Sequence, residues 1–115
     1  MHTVVETPVF IRSAAQTEVT EAELNEIRTL VARNPTIGDP MPGTGGARKV
    51  RFAAKGKGKS GGYRVITFFS GDNIPVFLLD IYAKGEKINL SQQEKNTLRH
   101  VLKRLAETFK SKTDE

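Results

Sequence analysis

Residues 48–82 read RKVRFAAKGKGKSGGYRVITFFSGDNIPVFLLDIY, and their pattern decides the fold. From Arg48 to Lys55 the chain alternates, with Val50, Phe52 and Ala54 on one face and Lys49, Arg51 and Lys55 on the other. Tyr63–Phe69 and Pro75–Tyr82 are rich in aromatic and β-branched residues, the composition of strands. Between them Ser70-Gly71-Asp72-Asn73 is a strong turn signal. Three successive strands of this kind predict an antiparallel meander whose first hairpin tip is the lysine-glycine stretch.

That tip satisfies two phosphate motifs by letter. Gly56-Lys57-Gly58-Lys59-Ser60-Gly61 fits G-x-G-x-x-G, and Gly58-Lys59-Ser60 ends like a P-loop whose first glycine would be Ala53. Both motifs work only between a strand and a helix, because the helix N-terminus holds the phosphates. Here a strand follows. A kinase-type glycine loop does lie between strands, but a kinase needs a far longer chain. If the tip meets phosphate, it does so in another way.

Outward from the meander, Val4–Ile11 reads as a first strand, at or near an edge because Pro8 cannot donate to a ladder. Thr20-Glu21-Ala22-Glu23 is a capping box, with Val19 and Leu24 placed as a hydrophobic staple. The helix it opens carries Leu24, Ile27, Leu30 and Val31 on one stripe and stops before Asn34-Pro35. Residues 35–46, PTIGDPMPGTGG, form a loop with room for one short helical turn. A second capping box, Ser91-Gln92-Gln93-Glu94, opens a C-terminal helix with Leu98, Val101, Leu102, Leu105 and Phe109 on its buried stripe. The order β-α-β-β-β-α predicts an α+β fold, a four-stranded mainly antiparallel sheet with helices packed on it. Residues 1–110 make one domain, and 111–115 a polar, frayed tail.

Composition narrows the chemistry. The 115 residues are 37% hydrophobic and 27% charged, an ordinary globular balance, with no apolar run of membrane length. The N-terminus lacks the pattern of a signal peptide, so the expected location is the cytoplasm. The absence of cysteine removes disulfides, thiolate metal sites and a cysteine nucleophile.

The net charge of +5 is unevenly spread. Residues 1–39 carry three basic and six acidic side chains; residues 72–115 carry eight and seven. Residues 40–71 carry seven basic side chains and no acid: Arg48, Lys49, Arg51, Lys55, Lys57, Lys59 and Arg64. Clustering of one sign points to a polyanionic partner, while the plainer alternative is a lysine-rich hairpin tip that resists aggregation.

His2 and His100 have no carboxylates arranged around them as in a triad or metal site, and acids are sparse near the basic segment. An enzyme built from this chain would work with Lys, Arg and Tyr, without metal or cofactor. RNA cleavage suits that set, because RNA carries its own nucleophile in the 2′-OH. Crowded lysines have depressed pKa values and can act as bases. Arginine grips phosphate oxygens in a bidentate fork and stabilises a phosphorane. Tyrosine can stack on a base or relay a proton. If the Ser70–Asn73 turn pairs residues whose numbers sum to an even value, Arg64 shares a face with Asp80, Tyr82 and Lys84. An odd register breaks the group. Tyr82 could equally be a rim aromatic covering the core.

PGTGGARKVRFAAKGKGKSGGYRVITFF, followed by FLLDIYAKGEKINLSQQEKNTL, resembles the RelE/HigB superfamily of type II toxins, in its HigB-like branch. The resemblance covers residues 42–98 closely. It implies a toxin that enters the ribosomal A site and cleaves mRNA during translation, and a cognate antitoxin that neutralises it. It also implies a catalytic set of Lys57, Lys59, Arg64, Tyr82 and Lys84. Arg48, Lys49, Arg51, Lys55 and Lys87 complete an RNA-binding surface. RelE-type members often place a further tyrosine near the C-terminus. Ala106–Glu115 holds none, which leaves the general base unassigned. Two other functions stay open: a ParE-like inhibitor of DNA gyrase on the same fold, and a non-catalytic RNA- or ribosome-binding module.

Overall fold

The computed structural model describes residues 2–53, 62–71, 73–86 and 90–113. Along the chain these form β1 (Val4–Glu6), α1 (Pro8–Gln16), α2 (Glu21–Arg33), β2 (Asp39–Pro40), β3 (Ala47–Phe52), β4 (Tyr63–Phe68), β5 (Val76–Ala83) and α3 (Gln92–Thr113). The class is α+β as expected. In detail the sheet has five strands and is mixed, in the order β1-β5-β4-β3-β2, where four mainly antiparallel strands were expected. The meander β3-β4-β5 is antiparallel throughout, while β1 lies parallel to β5 at one edge.

The N-terminal expectation needs correction. The run Val4–Ile11 is not one strand, for β1 ends at Glu6 and α1 begins at Pro8. Thr7 makes the switch. Its N–H donates to Leu78 O at 3.1 Å, completing the pairing of β1 with β5, while its hydroxyl oxygen accepts from Phe10 N at 3.2 Å as an N-cap. Pro8 then sits at the first helical position, where its missing N–H costs nothing and its fixed φ suits a helix. The edge position expected for the strand holds.

The second correction concerns residues 35–46. Gly38, at φ +100°, lets the chain lie against β3, where an added Cβ would stand 2.7 Å from Lys49 O. Asp39 and Pro40 then pair with Lys49 and Arg48 as the outermost strand. Pro40 is tolerated because an edge strand can spare a donor.

Both capping boxes form. Thr20 and Glu23 exchange bonds at the start of α2, and Ser91 and Glu94 do so ahead of α3. α2 ends at Arg33, before Asn34-Pro35. α3 runs from Gln92 to Thr113.

The sheet is covered on both faces. On one, Val50, Tyr63, Val65, Val76, Leu78 and Ile81 pack with Phe10 and Ala14 of α1 and Ile27 and Val31 of α2. On the other, Ala47, Ile66, Phe68, Phe77 and Leu79 pack with Leu102, joined by Leu98, Leu105 and Phe109 from α3. Burying each large apolar side chain stabilises the fold by about 1.5–3 kcal/mol. Val101, expected on this stripe, is 44% exposed, because it lies on the flank of α3 facing α1. No helix among the described residues is long and apolar enough to cross a membrane.

Candidate functional site

Strand pairing aligns Arg51 on β3, Arg64 on β4 and Tyr82 on β5 side by side. Neighbouring strands lie roughly 4.8 Å apart, and directly opposite residues share a face. The next row on that face is Lys49, Ile66 and Asp80. The sheet face under α3 is thus apolar at the Ala47–Phe68–Phe77 end and becomes polar and cationic towards Phe52 and Tyr63, where β3 ends and β4 begins.

Among the described residues no ion pair neutralises the cations in this region. Two guanidinium groups face each other across β3 and β4, a placement that costs stability unless an anion joins them. Among the described residues the ion pairs are those of Arg28 with Glu6 and Glu21, remote from this face. Arg64 is half-buried and donates from Nη1 to Tyr63 O at 3.4 Å; Arg51 is exposed. Asp80, the acid of the next row, accepts from Ile81 N at 2.8 Å. Tyr82 packs its ring against the core cluster under α3, so the reading of it as a rim aromatic and the reading of it as a site residue both describe part of its position.

The grouping of Arg64 with Tyr82 and Asp80 arises in an unexpected way. Next to the turn, Phe68 faces Phe77 and Thr67 faces Leu78, which is the odd register. An irregularity between Ile66 and Thr67 then shifts the ladder, so that Ile66 faces Asp80 and Arg64 faces Tyr82. Leu79 is the extra residue of a β-bulge, a device that re-aims side chains within a ladder. Its side chain is buried in the α3-side cluster.

The remaining expected residues separate. Arg48 lies on the opposite face, where its Nη1 donates to Gly38 O at 3.3 Å and supports β2. It does not join Lys49 and Arg51, and the alternation that places those two opposite Val50 already excludes it. Lys84 is exposed in the turn after β5, and its backbone N–H donates to Gly62 O at 3.0 Å, holding that turn beside the start of β4. Lys55, Lys57, Lys59 and Lys87 lie outside the described residues.

The start of β4 is braced from behind. The Tyr63 hydroxyl donates to Glu23 Oε1 at 3.1 Å, and the same oxygen accepts from Thr20 N at 2.9 Å. The capping box of α2 therefore also anchors the residue before Arg64. Beside the cationic face, an apolar groove of about 460 Å³ runs between α1 and α3, lined by Val9, Leu79, Leu98 and Val101, with Asp80 at its margin.

Residues 2–115 match the family model of the RelE toxin of the RelE/RelB toxin–antitoxin system. The chain belongs to the RelE toxin family. As a RelE-family toxin it is one half of a toxin–antitoxin pair, and its counterpart is an antitoxin. Sequence reasoning missed one feature of this RelE-family chain. Lys95, Arg99 and Lys103 recur every four residues along α3, and Arg99 donates from Nε and Nη2 to Gly43 O at 3.2 and 2.8 Å. The spacing was the available signal.

Proposed function

We propose that this RelE-family toxin is a ribosome-dependent endoribonuclease that cleaves mRNA in the ribosomal A site and so inhibits translation. The observation that carries the reading is the row Arg51–Arg64–Tyr82 on one sheet face, in which the two adjacent arginines make no ion pair among the described residues and lie beside an aromatic.

The chemistry follows from the substrate. A base removes the 2′-OH proton, the 2′-oxygen attacks the adjacent phosphorus, and the phosphorane gains negative charge. The 5′-oxygen leaves with a proton, producing a 2′,3′-cyclic phosphate and a free 5′-OH. Arg64 is suited to stabilise the phosphorane, because it is half-buried and held at the strand start. Arg51 and Lys49 are suited to hold flanking phosphate oxygens. Tyr82 offers an aromatic surface on which a neighbouring base can stack. Lys57, Lys59 and Lys84 supply further cations and a candidate general base or acid, with Lys55 and Lys87 extending the contact to RNA. The reaction needs no metal and no cofactor in this scheme. A cognate antitoxin neutralises the toxin, and the shared compartment is the cytoplasm.

The decisive experiment is primer extension on a defined mRNA with and without programmed ribosomes, comparing wild type with Arg64→Ala. Cuts that require ribosomes and vanish in the variant are expected. Intact ribosome binding with no cut in wild type would replace the nuclease with a non-catalytic binding module. Loss of both would redirect attention to DNA gyrase as the target.

A further inference from the structure

Lys95, Arg99 and Lys103 form a stripe along α3, with a rise of roughly 6 Å between successive members. Like charges at this spacing repel. Among the described residues none of the three is in an ion pair, although Glu107 lies one turn beyond. The stripe faces the loop between β2 and β3. The Lys95 side chain lies alongside Gly43, while Arg99 passes so close to Gly45 that a Cβ there would stand 3.0 Å from its Cγ. Its two bonds to Gly43 O fix the guanidinium and leave three of its five N–H groups for a ligand.

The seam deepens at its far end. A shallow cavity of about 470 Å³ is lined by Gly45, Gly46, Phe69, Ser70, Arg99 and Lys103. Its lining joins glycine backbone to the two cations Arg99 and Lys103. A cationic groove that tracks a phosphate backbone is one element of single-stranded nucleic acid binding. The seam also continues the candidate site. Leu98, between Lys95 and Arg99, packs in the same cluster as Ile66, one row from Arg64 on the same sheet face. From Arg64 to Phe68 the strand covers roughly 13 Å, the length of about two nucleotides.

We propose that the seam between α3 and the loop 41–47 is a second RNA-binding track. It takes the part of the single strand that flanks the phosphate held by Arg51 and Arg64. Lys95 and Lys103 hold backbone phosphates, and Arg99 holds one in a fixed orientation. The inference rests on the RNA reading of the site, and its test reads binding instead of cleavage.

The test uses uncleavable 2′-O-methyl oligonucleotides of about four and about twelve nucleotides, with fluorescence anisotropy at several salt concentrations. Wild type is expected to bind the longer strand at least about tenfold tighter. Lys95→Gln with Lys103→Gln should remove most of that gain, lower the salt slope by roughly 1.4 for two lost phosphate contacts, and leave the short strand unaffected. Arg64→Ala should weaken both lengths. A double variant that keeps the full length-dependent gain overturns the track while the RNA site stands. Failure of both lengths to bind wild type at low salt removes the RNA site and the track together. A double variant that keeps RNA but no longer binds polyglutamate would assign the seam to an acidic protein partner and overturn the inference.

Discussion

Arg64 faces Tyr82 directly across β4 and β5, although the same two strands pair one residue out of step nearer their turn. The bulge at Leu79 reconciles the halves, keeping Phe77 and Leu79 in the core and placing Tyr82 beside the arginine. Two groups on one rung can act on one nucleotide, the arginine on its phosphate and the ring on its base. Arg64→Ala is expected to lower ribosome-dependent cleavage about 10²–10³-fold, the usual loss for a transition-state donor. Tyr82→Phe keeps the packed ring and should cost far less. Neighbouring groups that hold one nucleotide are not independent, so a double variant of Arg64→Ala with Tyr82→Ala should lose less than the product of the single losses. Fully multiplicative losses in single-turnover assays would separate the two roles.

Gly38 and Gly71 make a controlled pair. At Gly38 φ is +100° and a new Cβ would meet Lys49 O at 2.7 Å, a backbone atom that cannot step aside. Gly71 has open space and no left-handed φ. Gly38→Ala should destabilise by at least about 1–3 kcal/mol through strain alone. Gly71→Ala should be near neutral or stabilise by up to about 1 kcal/mol through the unfolded chain. Urea unfolding midpoints measure both, and equal effects would contradict the close approach of β2 to β3.

Local signals account for what was legible in the sequence. The capping boxes at Thr20 and Ser91 and the meander of three strands are read from a few adjacent residues, and they form as expected. The Thr7-Pro8 helix start is also a local signal, but the apolar run around it reads equally well as a strand. Only the pairing of β1 with β5, seventy-two positions apart in its register, decides between them. The bulge was illegible for a similar reason: Leu79 suits the core as well as its neighbours do. Strand periodicity reached Lys49, Arg51 and Arg64. It could not reveal that α3 brings Lys95 and Arg99 to the glycine loop, because that contact joins residues far apart in sequence.

Tyr63 supplies a test of the brace behind the site. Its hydroxyl bonds a buried carboxylate oxygen that also serves the α2 cap. Tyr63→Phe removes one donor from Glu23 and should cost about 1–3 kcal/mol in urea unfolding. In a Glu23→Gln background the same change should cost less, since the carboxylate charge is already gone. Equal costs in the two backgrounds would show that the bond contributes nothing of its own.

The same cations that suit RNA, in no ion pair among the described residues, also suit an acidic segment of the antitoxin, which would neutralise the toxin by covering Arg51 and Arg64. Charge complementarity across an interface mainly sets association rate and partner choice. Arg51→Glu with Arg64→Glu should therefore slow antitoxin association at low salt by about tenfold or more, and the difference should shrink as salt rises. Surface plasmon resonance at several ionic strengths measures this directly. Unchanged association would place the antitoxin elsewhere, and the apolar groove between α1 and α3 would become the surface to mutate next. Val9→Asp and Val101→Asp would then be the informative changes, because both side chains are about half exposed and can change without opening the core.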